Sequence, residues 1–142
     1  MDIDLQKLNF NFSSKPLLIG GMAMQYYNLR PSGADIDFVI TPQDYHRLAA
    51  QYPDHLKDLW GDLGVCEFEF EIWQSICLFG YDSLSHGAIE LDEYKIISLE
   101  KLLLLKALGM REEKYHRDLE LIVQKILHDQ YVNYEPGQPV EL

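Results

Sequence analysis

Two aspartates two residues apart, Asp35 and Asp37, open an apolar run that continues as Phe38-Val39-Ile40. On a strand, residues i and i+2 share a face, so both carboxylates project the same way, roughly 6.5–7 Å apart at Cα. Two such anions repel, and their joint ionisation is unfavourable unless a cation sits between them. Magnesium suits the pair: it takes one or two carboxylates, keeps several waters and accepts substrate phosphates. A second Asp-x-Asp, Asp2 and Asp4, has no such setting and reads as solvated.

Upstream, Leu17-Leu18-Ile19 enters a helix through Gly20-Gly21. Two glycines let backbone approach a ligand closely and aim N–H groups and a positive helix end at an anion, which suits a triphosphate. The plainer reading of the dipeptide is a tight turn that needs a left-handed residue. Downstream, Glu67, Glu69 and Glu71 alternate with apolar residues. If their strand lies beside that of Asp35, one of these glutamates completes a three-carboxylate site of the kind used in two-metal phosphoryl or nucleotidyl transfer.

The elements that must position these groups follow from periodicity and turn chemistry. Residues 16–19 read as a buried strand, Met22 to Tyr27 as a helix, Arg30-Pro31-Ser32-Gly33 as a turn and Asp35 to Ile40 as the next strand. Thr41 as N-cap and Pro42 in the first turn start a helix to about Gln51. Pro53 to Trp60 is expected to form another short helix. Val65 to Trp73 reads as one strand, with Cys66, Phe68, Phe70 and Ile72 on one face. Short strands are expected near Ala88–Leu91 and Tyr94–Ile97, then a helix from Leu99 to Leu108, capped by Ser98 and closed by Gly109. A last helix, about Glu112 to His128, puts Tyr115, Leu119, Ile122, Val123 and Ile126 on one face. The fold class expected is α/β (α+β), a small mixed sheet flanked by helices, as one domain over residues 1–132 with a C-terminal tail over 133–142.

Composition bounds the function. The 142 residues are 47% apolar and 25% charged, with 12 Lys plus Arg against 23 Asp plus Glu and a formal net charge of −11. That balance argues against binding long nucleic acid, which needs clustered cations, and against an anionic membrane surface. The apolar run Leu102 to Leu105 ends at Lys106, far short of a membrane span. Met1 to Asp4 shows no basic start with a following apolar run, so no signal peptide is expected. Cys66 and Cys77 have neither redox nor zinc spacing and read as a buried reduced pair in a cytoplasmic protein. The five histidines show no metal-ligand spacing, and no serine has a hydrolase context. Tyr26, Tyr27 and Trp73 could stack on a base but read rather as core aromatics.

Gly20-Gly21, a helix, Arg30-x-Ser32, Asp35-x-Asp37 on a strand and a later acidic strand stand in an order that resembles the DNA polymerase beta-like nucleotidyltransferase superfamily. The likeness is nearest to small bacterial members, the antibiotic nucleotidyltransferases and those of abortive-infection and toxin–antitoxin systems. Ile96-Ile97-Ser98 leading to Leu105-Lys106, and Arg117-Asp118-Leu119, look like that family's later motifs. The resemblance covers roughly residues 16 to 125.

It implies a nucleotidyltransferase fold and transfer of NMP from an NTP to a hydroxyl of a small molecule or a protein partner, with Mg²⁺ as cofactor and room for two ions. Asp35 and Asp37 would hold metal, and Glu71 or Glu69 would be the third carboxylate. Gly20, Gly21, Ser32 and Lys106 would bind nucleotide, although Lys106 by itself reads equally as a surface lysine. The sequence departs from the family's pattern where Glu replaces the usual third Asp, where Met22 follows Gly21, and in a longer turn between Arg30 and Asp35. The other reading is a catalytically weak nucleotide-binding or partner-binding module of toxin–antitoxin type. A chain this short leaves little room for an acceptor domain, so a second copy or a partner protein is expected to complete the acceptor site.

Overall fold

The computed structural model describes residues 2–130 and is of mixed α and β class, as expected. Its main sheet has seven strands: β1 (Leu17–Ile19), β2 (Ile36–Val39), β3 (Leu56–Leu59), β4 (Asp62–Glu67), β5 (Phe70–Trp73), β8 (Ile89–Glu90) and β9 (Lys95–Ile96). They lie in the order β3-β4-β5-β2-β1-β9-β8, while β6 (Ser75–Ile76) and β7 (Phe79–Gly80) form a separate ribbon. The helices are α1 (Gly20–Tyr26), α2 (Pro42–Gln51), α3 (Tyr81–Leu84), α4 (Leu99–Leu108) and α5 (His116–Gln130).

Strand alternation divides the core in two. Ile36, Phe38, Phe70 and Ile72 face one side, where Leu5, Leu8, Tyr45 and Leu48 cover them. Leu17, Ile19, Val39 and Trp73 face the other, under Ala23, Met24, Leu102 and Ile122 from α1, α4 and α5. Burying these side chains supplies most of the driving force for folding, at roughly 1.5–3 kcal/mol for each large one. Thr41 and Ser98 cap α2 and α4 by accepting from the backbone N–H groups of Asp44 and Lys101. Asp44 is itself buried and ties the N-terminal segment to α2, accepting from Ser13 N, Ser13 Oγ, Ser14 N and Arg47. With so many donors its carboxyl stays below the usual range in spite of burial.

Several expectations need correction. The segment expected as a helix over Pro53–Trp60 holds instead strand β3, exposed along its length and paired antiparallel with β4. Its hairpin turns at Trp60-Gly61, both at positive φ (55° and 95°); a tryptophan there hides the turn signal, which normally needs Asn or Gly. The single strand expected over Val65–Trp73 is two strands folded on each other, with Glu67 opposite Phe70 and Phe68 at φ 55° in the turn. Apolar–polar alternation persists through a two-residue turn, so sequence period alone does not reveal it. The fold-back replaces the expected face: Val65 lies beside Ile72 in the core, Cys66 lies beside Glu71, and Phe68 is 60% exposed.

The last helical stretch begins as a 3₁₀ turn (Glu113–Tyr115) before α5. Its buried residues are Asp118 and Ile122, and Val123 is 39% exposed rather than on the core face. Both cysteines are free, Cys66 half-buried and Cys77 exposed, so they are not a buried pair. The expected tail over 133–142 lies outside the described residues.

A test of the packing comes from Gly64, where an added Cβ would stand 2.6 Å from Cε3 of Trp73. Gly64→Ala should lower stability by about 1–3 kcal/mol through overpacking, read by urea melts; a variant that melts like wild type would show that Trp73 moves freely.

Candidate active site

The parallel pairing of β2 with β5 places Asp37 directly beside Glu71, and the antiparallel pairing of β2 with β1 places it beside Ile19. The Asp37 and Glu71 side chains lie side by side, where a bond to Glu71 favours the protonated form of Asp37. Burial, the bond to Glu71, and the charges of Glu71 and Asp35 push Asp37 up to about 7, against a smaller downward pull from Lys106. Lys57 Nζ, from the edge strand β3, stands 3.6 Å from Glu71 Oε1 on a partly exposed approach.

Gly20 makes room for this pair. It has φ +65°, and a Cβ there would lie 2.6 Å from Asp37 Oδ2. The glycine expected to cradle phosphate therefore first admits a carboxylate. Helix α1 is only seven residues long, so its dipole adds little. Gly21 faces the next turn, where a Cβ would meet Ser32 Oγ at 3.1 Å and Arg30 Nη1 at 3.6 Å. Ser32 holds that turn through its N–H, which donates to Gln25 Oε1 at 2.9 Å.

Lys106 is not a surface lysine. Only 7% exposed, it reaches Asp118 Oδ2 at 2.9 Å and lies 4.7 Å from the centre of the Tyr115 ring. The same aspartate accepts from Arg30 Nε at 2.6 Å and Nη2 at 2.8 Å. Asp118, 3% exposed, thus joins α5 to α4 and to the turn after α1. Burial works against its charge, but the bonds from Arg30 and Lys106 prevail and hold its carboxyl below the usual range.

Two adjoining clefts open onto these groups. One, of about 260 Å³, is lined by Gly20, Gly21, Asp37, Glu71 and Lys106 together with Trp73 and Leu102. The other, of about 530 Å³, has Arg30, Ser32, Asp35, Lys114, Arg117 and Asp118. Gly21, Asp37 and Tyr115 line both.

Of the residues singled out in the sequence, Gly20, Gly21, Asp37, Glu71 and Lys106 therefore meet in one cleft. Asp35 is exposed and stands with Ser32 in the second. Glu69 is drawn off into the β4–β5 turn, where Lys7 Nζ binds it at 3.0 Å and keeps its carboxyl low. Among the described residues, no three His, Cys, Asp or Glu side chains form a ready metal-binding group. Sequence reasoning quoted Asp118 only as part of a motif and missed Tyr115 and Lys57. A usable signal for Asp118 was its place one turn before Ile122, a charge on a buried stripe. Lys57 offered none, because its segment was read as helix.

No family model, curated protein or solved structure matches this chain.

Two stability outcomes follow. Asp37 binds its proton more tightly when folded, so its contribution is present below about pH 4 and is lost as pH rises through about 7. Asp37→Asn, whose amide can donate to Glu71 as the proton does, should raise the ligand-free melting point at pH 8 by roughly 5 °C and flatten that decline. A variant melting at or below wild type at pH 8 would refute the crowded pair. Asp118 behaves oppositely: its stabilisation is present above its unfolded pKa and lost as pH falls below it. Asp118→Asn should cost about 3–5 kcal/mol at pH 7, since it leaves Lys106 buried without its counter-charge; denaturant melts that show under 1 kcal/mol would overturn the bridge.

Proposed function

We propose that the protein is a Mg²⁺-dependent nucleotidyltransferase that moves a nucleoside monophosphate from an NTP to a hydroxyl of a small molecule or a protein partner. The observation that carries this reading is the Asp37–Glu71 pair, set in one cleft with Gly20, Gly21 and Lys106. The order of motifs in the sequence supports it independently.

The side chains suit Mg²⁺. Asp37 and Glu71 are hard oxygen donors set side by side, a pairing that favours positive charge between them. Asp35, just before β2 and two residues from Asp37, adds to the negative field at Asp37. Two or three carboxylates leave the remaining coordination positions to water and substrate phosphate, as Mg²⁺ prefers. Bound there, Mg²⁺ supplies neutralisation of charge on the attacking and leaving oxygens.

The chain's own groups do the rest. Lys106, held by Asp118, and Arg30 present positive charge to the polyphosphate from a fixed scaffold, which needs little reorganisation during reaction. With the cation in place neither carboxyl of the Asp37–Glu71 pair would keep a proton, and Glu71 would then accept the proton of the acceptor hydroxyl. That oxygen forms a bond to the α-phosphorus as the bond to the leaving pyrophosphate breaks. The net charge of −11 favours an acceptor other than long nucleic acid.

Transfer of label from α-labelled NTPs to small hydroxyl compounds, to lysate proteins or to the chain itself tests the proposal. Wild type should label an acceptor only with Mg²⁺ present. Asp37→Asn and Glu71→Gln should each lower turnover by roughly a hundredfold or more and weaken NTP binding less, because the loss falls in the transition state. Glu69→Gln should stay near wild type, since Lys7 occupies that carboxylate. A wild type that binds Mg·NTP yet labels nothing would establish the nucleotide-binding module instead.

A further inference from the structure

Two lysines stand near the acidic pair, and they are held in opposite ways. Lys106 is buried and fixed by Asp118 at 2.9 Å. Lys57 has a side chain 48% exposed, and among the described residues its one ion-pair partner is Glu71, whose Oε1 lies 3.6 Å from Nζ. It stands on the edge strand β3, which pairs with β4 and is exposed along its length. Lys57 lies opposite Gly64 there, and Cys66, two residues on, lies opposite Glu71. Opposed residues share a sheet face, as do residues two apart, so Lys57 belongs to the face that carries the carboxylates. Its ammonium reaches Glu71 across the width of β4.

A lysine ammonium is a compact point charge on a flexible stem, well suited to answer an acidic pair from a distance. We propose that Lys57 is a built-in counter-ion: in the ligand-free chain its ammonium neutralises Glu71, and it must swing out before Asp37 and Glu71 can hold a divalent cation. The inference rests on the Mg²⁺ reading of the site and adds the residue that sets how readily the site fills. The contact at 3.6 Å is longer than an N–H···O hydrogen bond of about 2.7–3.2 Å, so the ammonium is not locked in place. Its exposed stem has water to move into. Mg²⁺ demands a near-octahedral shell of oxygens and keeps several waters, which leaves no place for an ammonium against the same carboxylate. Lys106 cannot play this part, because Asp118 retains it. A bare ion therefore meets more resistance at this site than two carboxylates alone would offer.

Binding of Mn²⁺ to the full chain tests the proposal, since this ion shares the oxygen ligands of Mg²⁺ and its free concentration is read by electron paramagnetic resonance. Lys57→Met should lower the dissociation constant about fivefold or more. Lys57→Arg, which keeps the charge, should bind no more tightly than wild type. Lys125→Met, which removes the same charge from a pair with Asp129 on α5, should stay within about twofold of wild type. A second arm follows acetylation of wild type by acetic anhydride, read residue by residue in a mass spectrometer. Saturating Mg²⁺ should speed modification of Lys57 by about threefold or more, as the ammonium leaves Glu71, and leave Lys125 unchanged. If wild type binds Mn²⁺, Asp37→Asn loses it and Lys57→Met binds it no more tightly, the proposal falls while the metal site stands. Equal tightening in Lys57→Met and Lys125→Met would show an effect of net charge alone, and a Lys57 acetylation rate indifferent to Mg²⁺ would show that the ammonium stays where it is; either overturns the proposal. If neither wild type nor Lys57→Met binds Mn²⁺, the Mg²⁺ reading fails first and takes this one with it.

Discussion

Two carboxyl groups held side by side on neighbouring parallel strands govern this structure. Asp37 and Glu71 are fixed in register by backbone hydrogen bonds between β2 and β5, so they cannot separate without breaking the sheet. Burial and the neighbouring charge of Glu71 both favour the protonated form of Asp37. The arrangement is unfavourable at neutral pH and above, and folding tolerates it because the strands that carry it are anchored by apolar neighbours. Phe38 and Val39 follow Asp37 into the two cores, and Ile72 and Trp73 follow Glu71. Strain of this kind, stored beside a cleft, is what a site requires if a cation is to bind there.

The neighbouring charges are arranged around that constraint. Gly20 lacks the side chain that would displace Asp37, and its left-handed conformation suits glycine. Asp118 on α5 holds two cations from two other parts of the chain, Arg30 after α1 and Lys106 on α4. One buried carboxylate against two cations leaves positive charge beside the acidic pair without letting those cations collapse onto it. In the proposed reaction this separation matters, because the acids serve the metal and the hydroxyl proton while the cations serve phosphate. Lys57 offers Glu71 a looser partner at the sheet edge, where water screens the interaction.

The second core does more than stabilise. Its side of the sheet carries Asp37 and Glu71 at one end and Val39 and Trp73 further along, because alternate residues of one strand share a face. The cleft that holds the carboxylates is lined by Gly20 and Gly21 of α1 and by Leu102, Leu105 and Lys106 of α4. Lys106 enters this cleft because α4 is apolar nearly all round, with Leu102 one turn earlier buried in the same core.

Much of this was present in the sequence. Strand period and turn chemistry were enough to locate β1, β2, α2 and α4 and to put Asp37 at the head of an apolar strand, because these depend on local conformation and nearby residues. The pairing of types at Gly20-Gly21 and Asp35-x-Asp37 was also local. The turns at Trp60-Gly61 and Phe68-Glu69 were hidden, since neither carries the Asn-Gly signature and positive φ at a bulky residue is imposed by the pairing of the strands around it. That single fact decided which glutamate meets Asp37. In one continuous strand Glu69 and Glu71 are equivalent by alternation; in the hairpin Glu69 falls in the turn beside Lys7, and Glu71 stands in the ladder with Asp37. The burial of Lys106 and the two-cation grip of Asp118 likewise belong to tertiary structure alone, because each joins residues far apart in the chain, and only packing of α4 and α5 on the sheet sets their distance.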